Sequence, residues 1–152
     1  EIISFLSEET ELHSVIVGTD SQPYSGGDCV VTVVCVLSES RKHHARFFYY
    51  THERVPSQNQ ADNGALFQRL YDEALKSVET SNTLKAQIPD LTVSVHLDVQ
   101  QGNGTTRSSR FAHSLTSLAR GYGYDVETKP DAWVASSIAD RLTKRPPRRQ
   151  RS

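Results

Sequence analysis

The chain has 152 residues, a mass of 17.0 kDa, 36% hydrophobic and 23% charged side chains, and a net charge of −1 at pH 7. This length is typical of a single domain that can bury a core without help from disulfides or metal ions. The composition excludes disordered and collagen-like proteins. It also excludes a membrane span, because the longest apolar run, at residues 29–37, is much shorter than the ~18 residues that a span needs.

The charges are unevenly distributed along the chain. Residues 1–140 carry 11 basic and 18 acidic side chains, whereas residues 141–152 carry six basic side chains and no acidic ones. We therefore predict one folded domain over residues 1–145, followed by a basic, disordered tail over residues 146–152. Such a tail is either a solvated terminus or an electrostatic arm for a polyanion.

The cysteines bear on the cellular compartment. Cys29 and Cys35 lie in one predicted strand, where six residues span about 20 Å, too far for a disulfide between them. They indicate buried, reduced thiols. The first residues also lack the basic start and the long apolar centre of a signal peptide, so we expect a cytoplasmic protein.

The first half of the chain predicts a short helix and then an antiparallel meander. Three runs are rich in β-branched or aromatic residues, at residues 14–20, 29–37 and 45–55. A turn is predicted at residues 23–28 and a polar connection at residues 42–44. Consecutive strands joined by short connections pair with one another in the antiparallel sense.

The second half alternates helices and strands. Helical spacing of apolar residues begins near residue 62 and continues into the 80s, and strict alternation predicts a fourth strand at residues 91–99. Ser108 or Ser109 would cap a second helix, residues 125–129 form a fifth strand, and Pro130-Asp131 would open a third helix. The order β-β-β-α-β-α-β-α predicts an α/β fold. Its mixed sheet has three antiparallel strands, then parallel ones, with helices on both faces.

Carboxylates at the ends of strands are the most informative polar residues. The sequence contains no P-loop, GxGxxG or GxSxG motif, and its cysteines lack the spacing of a zinc site. Asp20 closes the first strand, and Asp98 lies near the end of the fourth. Each alone is explained as a turn or capping residue. On neighbouring strands, however, the two could start a Mg²⁺ or Mn²⁺ site, because these ions prefer carboxylate oxygens.

Several motifs now carry a resemblance to a known family. They are Val17-Gly18-Thr19-Asp20-Ser21-Gln22, His96-Leu97-Asp98-Val99, Gly121-Tyr122-Gly123-Tyr124, Lys129-Pro130-Asp131-Ala132-Trp133 and Ala139-Asp140. With the element order, they make residues 12–145 resemble the ribonuclease H-like superfamily and, more narrowly, the YkuK family of bacterial proteins. The resemblance implies that fold. It also implies a nuclease that hydrolyses nucleic-acid phosphodiesters with two Mg²⁺ or Mn²⁺ ions.

The resemblance also implies a set of catalytic acids. The superfamily takes them from the first strand, the helix after the third strand, the fourth strand and the last helix. Asp20 and Asp98 match the two strand positions. For the last helix, Asp140 competes with Asp131; at about 100° per residue these two lie on opposite faces. Asp131 can be explained as an N-cap residue, which favours Asp140 as the third metal ligand beside Asp20 and Asp98.

The acid of the long helix is less well defined. Glu73 borders the apolar face of that helix, whereas the superfamily acid usually lies nearer the helix start. Asp62 is the only acid at that start. We expect Glu73 to be the acid of the long helix that completes the site, although its position departs from the superfamily pattern.

Nucleic acid is the implied partner. Lys129 would neutralise a phosphate, Arg107 and Arg110 would hold the backbone, and the basic tail would add sequence-independent affinity. The three cationic residues could equally be ordinary surface side chains. Two alternatives stay open: a binding module for nucleic acid or a protein without turnover, and a structural protein that uses its sheet edge or Trp133 as a contact. Converging carboxylates would favour the enzyme, and dispersed ones the binding module.

Overall fold

The structure is a computed structural model that describes residues 1–8, 14–24, 27–39, 44–56, 63–102 and 108–144. Its strands are β1 (Ser14–Tyr24), β2 (Gly27–Glu39), β3 (His44–Val55), β4 (Thr92–Gln100) and β5 (Asp125–Lys129). Its helices are α1 (Ile2–Glu8), α2 (Asn63–Gln87), α3 (Ala112–Gly121) and α4 (Asp140–Thr143). A 3₁₀ turn, Ser108–Arg110, precedes α3, and a π-helical segment, Val134–Ala139, precedes α4.

The strands form one mixed sheet in the order β3-β2-β1-β4-β5. The meander pairs β1 with β2 and β2 with β3 in the antiparallel sense, whereas β4 pairs in parallel with both β1 and β5. This arrangement confirms the predicted fold class. It places β1 at the centre of the sheet, where the strand order reverses.

Alternate residues of β1 enter two separate cores. Val15 and Val17 of β1 join the valines of β4 in a cluster covered by α2 and α3. Ile16, on the other face of β1, packs with Val134 and Ala139 of the π segment. The apolar face predicted for the fourth strand is confirmed, because Val93, Val95, Leu97 and Val99 are all buried. On the other face, His96 is buried as well. Helices therefore cover both faces of the sheet, and consecutive residues of β1 and β4 point to opposite layers.

The connection between β1 and β2 is shorter than the predicted turn at residues 23–28, since the two strands stay paired through Pro23↔Asp28 and Tyr24↔Gly27. The predicted serine cap of α3 is wrong. Ser108 lies in the 3₁₀ turn, and Phe111 occupies the N-cap position without a side-chain cap.

The last helix also differs from the prediction. Asp131 is not its N-cap residue but lies in a turn, where its N–H donates to the carbonyl oxygen of Thr128 over 2.8 Å. The helix begins with the π segment, whose N-cap is Trp133. The assumption of 100° per residue between Asp131 and Asp140 does not apply there, because a π turn holds more residues than an α turn.

Two sequence-level expectations about burial and membranes can be compared with the structure. Cys29 and Cys35 are both buried, and neither forms a disulfide. Trp133 is half-buried and packs against the core cluster that contains Val134. Among the described helices, none is both long and apolar enough to cross a membrane.

Candidate functional site

The candidate site lies where β1 and β4 separate. Their parallel pairing ends at Gly18↔His96, and continuing the same register by two residues sets Asp20 opposite Asp98. Because β1 and β4 are parallel, the site lies beyond the carboxyl end of their pairing. β1 is also the strand at which the order of strands in the sheet reverses. In open α/β sheets such a crevice is the usual place for a ligand.

Asp20 is buried on the face of β1 that the π segment covers. Its carboxylate is 5% exposed, and its Oδ2 accepts hydrogen bonds from Thr143 Oγ1 (2.7 Å) and Gln22 Nε2 (3.4 Å). Burial raises the pKa of Asp20, and these two hydrogen bonds oppose the rise. The negative charges of Asp140 and Asp98 raise the pKa of Asp20 further, so both acids lie within electrostatic reach of it.

Glu73 approaches the same gap from the other face of the sheet. The residue is 7% exposed, and its Oε1 accepts hydrogen bonds from the backbone N–H (3.0 Å) and the hydroxyl (2.5 Å) of Ser21. Burial is the main reason that the pKa of Glu73 rises to about 8; the Ser21 bond and Arg69 oppose it, while Asp20 and Asp98 add to it. Glu73 therefore belongs to the same group of interacting acids.

A ladder of hydroxyl contacts sets the position of Glu73. Thr19 Oγ1 lies 2.8 Å from Ser77 Oγ and 3.1 Å from Thr32 Oγ1, all three buried between β1, β2 and α2. Ser77 lies one helical turn after Glu73, and Thr19 lies two residues before Ser21 on the same face of β1. These contacts therefore fix the position of α2 along β1. They place Glu73 next to Ser21, two residues beyond Thr19.

Asp98 is held by a cation rather than by a hydrogen bond. Its Oδ1 lies 2.8 Å from Lys129 Nζ at the end of β5. The pair is an ion contact of poor directional geometry, because this buried oxygen has no hydrogen-bond partner among the described residues. A buried carboxylate oxygen in that condition is costly unless a cation satisfies it.

Asp140 reaches the site from the first residue of α4. It is half-buried, and its Oδ2 lies 2.8 Å from Lys144 Nζ, one helical turn later. The hydroxyl of Thr143 also lies 2.7 Å from the Asp140 carbonyl oxygen, so the α4 turn and Asp20 share one donor. The backbone of α4 thus connects the acid of the last helix to the acid of the first strand.

His96 supports the start of the final helical region. Its ring is 3% exposed, its Nδ1 accepts a hydrogen bond from the Val134 N–H (3.3 Å), and it contacts the Trp133 ring edge-on at 5.8 Å. Burial lowers the pKa of His96 to about 4, whereas the nearby Asp131 charge opposes this shift. His96 is therefore neutral near pH 7 and acts as an acceptor that fixes the π segment on β4.

Four of the sequence-predicted acids, Asp20, Asp98, Asp140 and Glu73, lie around the gap between β1 and β4, where their charges affect the pKa of Asp20 or of Glu73. The other predicted acids lie apart from this gap or outside the described residues. Asp131 is exposed in its turn, and Arg110 is exposed in the 3₁₀ turn. Arg107, Asp62 and the basic tail lie outside the described residues. Within the part of the chain that the structure describes, no three His, Cys, Asp or Glu side chains are close enough to hold one metal ion.

Sequence reasoning missed Thr143, Lys144 and the support from His96. The Asp140–Lys144 spacing of four residues was a visible signal, because oppositely charged residues at that spacing meet on a helix. Thr143 and Asp20 are separated by 123 residues, and no local pattern connects them. His96 appeared as a polar residue on an alternating strand, with no sign that it would accept a backbone hydrogen bond.

Comparison with known proteins gives a family match and distant structural matches. A family model described as Ribonuclease H-like matches residues 1–144. RNase H1 from the halophilic archaeon Halobacterium salinarum NRC-1 is 12% identical, with 78% of this chain and 87% of that chain covered and a TM-score of 0.41. An RNase H1 isolated from compost by a metagenomic approach is 10% identical, with coverages of 86% and 91% and a TM-score of 0.39. No curated protein sequence gives a significant match.

Proposed function

Because the chain belongs to the ribonuclease H-like family over residues 1–144, we propose that it is a divalent-metal-dependent nuclease that hydrolyses nucleic-acid phosphodiesters. The observation that carries the proposal is the grouping of Asp20, Glu73, Asp98 and Asp140. These acids come from β1, α2, β4 and α4. The charges of Asp98 and Asp140 raise the pKa of Asp20, and those of Asp20 and Asp98 raise the pKa of Glu73. The narrower assignment to the YkuK family, with a bacterial and cytoplasmic setting, is part of the same proposal.

The donor set suits a hard cation. Asp20, Asp98 and Asp140 would hold Mg²⁺ or Mn²⁺ in the proposed two-metal arrangement, with Glu73 as the fourth acid. The buried Oδ1 of Asp98 has no hydrogen-bond partner in the described chain and would gain a ligand contact. When bound, such ions supply a water of lowered pKa and stabilise the leaving oxygen.

The remaining chemistry falls to residues of the chain. Thr143 and Gln22 orient Asp20 by donating to its Oδ2, and Ser21 fixes Glu73. Lys129 lies beside Asp98 and could move to a substrate phosphate as a point charge. Arg107 and Arg110 would hold the backbone of the nucleic acid, and the basic residues after Lys144 would add affinity without sequence preference.

Mn²⁺ binding and cleavage test the proposal together. We expect calorimetry to show saturable Mn²⁺ binding by the wild type and none by Asp20→Asn/Asp98→Asn, with loss of cleavage of mixed labelled oligonucleotides in parallel. The matched control is Asp90→Asn/Asp125→Asn, which removes two exposed carboxylates. Unchanged Mn²⁺ binding by Asp20→Asn/Asp98→Asn, or no binding by the wild type at millimolar Mn²⁺, would refute the metal site.

A binding module without turnover is the second candidate. It is favoured by the spacing of the acids, since no three of the described ligand-type side chains converge on one point. Asp98 and Asp140 are instead each paired with a lysine. Salt-sensitive oligonucleotide binding with no cleavage in Mg²⁺ or Mn²⁺ would identify the module.

A further inference from the structure

Two of the four acids carry their own cation. Lys129 Nζ lies 2.8 Å from Asp98 Oδ1, and Lys144 Nζ lies 2.8 Å from Asp140 Oδ2. The two lysines reach the gap from different elements, the end of β5 and the residue after α4. Both acids are thereby drawn toward ammonium groups at the edge of the site.

Neither lysine is locked in place. The side chain of Lys144 is 62% exposed and that of Lys129 is 43% exposed. The Lys129 contact lacks hydrogen-bond geometry at Asp98 Oδ1. Exposed ion pairs contribute little stability, because solvent screens them and long side chains lose entropy in them. A metal ion can therefore displace both ammonium groups at modest cost.

We propose that Lys129 and Lys144 are tethered counter-ions that compete with divalent metal for Asp98 and Asp140 and so weaken metal binding. The inference rests on the proposed function, because it concerns the same carboxylates. It accounts for a family-type set of acids whose described members do not converge on one point. With the lysines removed, mutual attraction to a cation would bring Asp98 and Asp140 toward Asp20.

Lysine-to-methionine variants test the competition. Methionine keeps much of the length of lysine without its charge, so we compare Mn²⁺ affinity by calorimetry for Lys129→Met, Lys144→Met and the double variant. We expect each single variant to bind Mn²⁺ about 2- to 5-fold more tightly than the wild type, as the loss of an exposed ion pair implies, and the double variant to bind more tightly still. Lys76→Met is the matched control, since Lys76 pairs with Glu53 at 2.6 Å rather than with an acid of the site. It loses the same net charge, and its affinity should stay within error of the wild type.

The outcomes separate this inference from the proposed function. Equal Mn²⁺ affinity in the wild type and all lysine variants, with binding lost in Asp20→Asn/Asp98→Asn, would overturn the competition and leave the nuclease proposal standing. Weaker binding by the Lys129 or Lys144 variants would also overturn it, because the lysines would then assist the ion. A gain in Lys76→Met equal to that in the site variants would reduce the effect to net charge and overturn it. Absence of binding in every protein, including the double variant, would overturn both proposals.

Discussion

Single residues of the site differ chiefly in how burial affects their charge. Glu73 and Asp20 are buried carboxyls whose pKa values are raised, and the hydrogen bonds that they accept from Ser21 and Thr143 only partly oppose that effect. His96 is a buried imidazole whose pKa is lowered. Burial disfavours the charged form in each case, so it raises the pKa values of the two acids and lowers that of the histidine.

Glu73 should make the stability of the protein fall as pH rises. Its pKa is about 8 in the folded protein against an ordinary 4.5, so the folded state keeps a proton that the unfolded chain has lost. The associated stability is fully present below pH 4.5 and disappears as pH rises through 8, by at most ~1.4 kcal/mol per pH unit. His96, with a pKa of about 4 against 6.5, acts in the opposite direction between pH 4 and 6.5. The two effects offset one another up to pH 6.5, and Glu73 dominates from there to pH 8.

Urea denaturation of Glu73→Gln checks this expectation. We expect the wild type to lose free energy of unfolding between pH 6.5 and 8.5, and Glu73→Gln to lose clearly less over the same range. Glu79→Gln, an exposed position on the same helix, should follow the wild type. A wild-type profile that is flat, or that rises across this range, would contradict a buried, protonated Glu73.

At the scale of elements, the close contact between β1 and the π segment positions Asp140. A Cβ atom on Gly18 would lie 2.7 Å from the Ala135 backbone nitrogen and 3.0 Å from its Cα. Both neighbours are backbone atoms, so they cannot move aside as a flexible side chain would. The absence of a side chain at Gly18 allows the final helical region to approach the sheet closely enough for Thr143 to reach Asp20.

Gly18→Ala should therefore disturb the site from a distance. The added methyl group must push the π segment outward, which we expect to lower the free energy of unfolding by about 1–3 kcal/mol. We also expect weaker Mn²⁺ binding, because Asp140 and Thr143 move with the segment. Gly102→Ala is the control, since nothing lies within 4 Å of its added Cβ. Denaturation and calorimetry check the two effects, and Gly18→Ala with wild-type values in both would refute the close contact.

The elements were more predictable from sequence than the site. Residues 91–99 alternate strictly because one face of β4 lies against α2 and α3, and such a period is visible in the residues themselves. The approach of Asp20 and Asp98 followed from two acids at the ends of strands that become neighbours. By contrast, the contact of Thr143 with Asp20 depends on tertiary packing across 123 residues. The π segment was missed because a helical spacing of apolar residues does not distinguish it from an α-helix.

At the scale of the whole molecule, charge is separated between body and tail. The body of residues 1–140 is acidic, with 18 acidic and 11 basic side chains. Nucleic acid would be repelled by such a surface unless cations of the protein or solvent intervene. The basic residues beyond Lys144, which the structure does not describe, are the chain's densest positive charge.

Removal of residues 145–152 should weaken nucleic-acid binding in a salt-dependent way. The deletion removes Arg145, Arg148, Arg149 and Arg151, each able to neutralise one phosphate. We expect lower affinity for a labelled single-stranded oligonucleotide, and a slope of log affinity against log salt that is shallower by about 0.7 per lost phosphate contact. Fluorescence anisotropy over a salt series measures both. Replacing the four arginines with glutamine tests charge without changing length, and full affinity in either variant would exclude the tail as an electrostatic arm.

The π segment has a consequence for how this chain tolerates changes in length. A π-helical turn corresponds to one residue more than an α-helix needs over the same rise. Deleting one residue between Val134 and Ala139 would therefore convert the π turn to an α turn and leave Asp140 and Thr143 on the side that faces β1. A second deletion there would find no extra residue to absorb it and would rotate the residues that follow by about 100°, so that Asp140 and Thr143 would face away from β1. We therefore expect this segment to tolerate the loss of one residue but not of two.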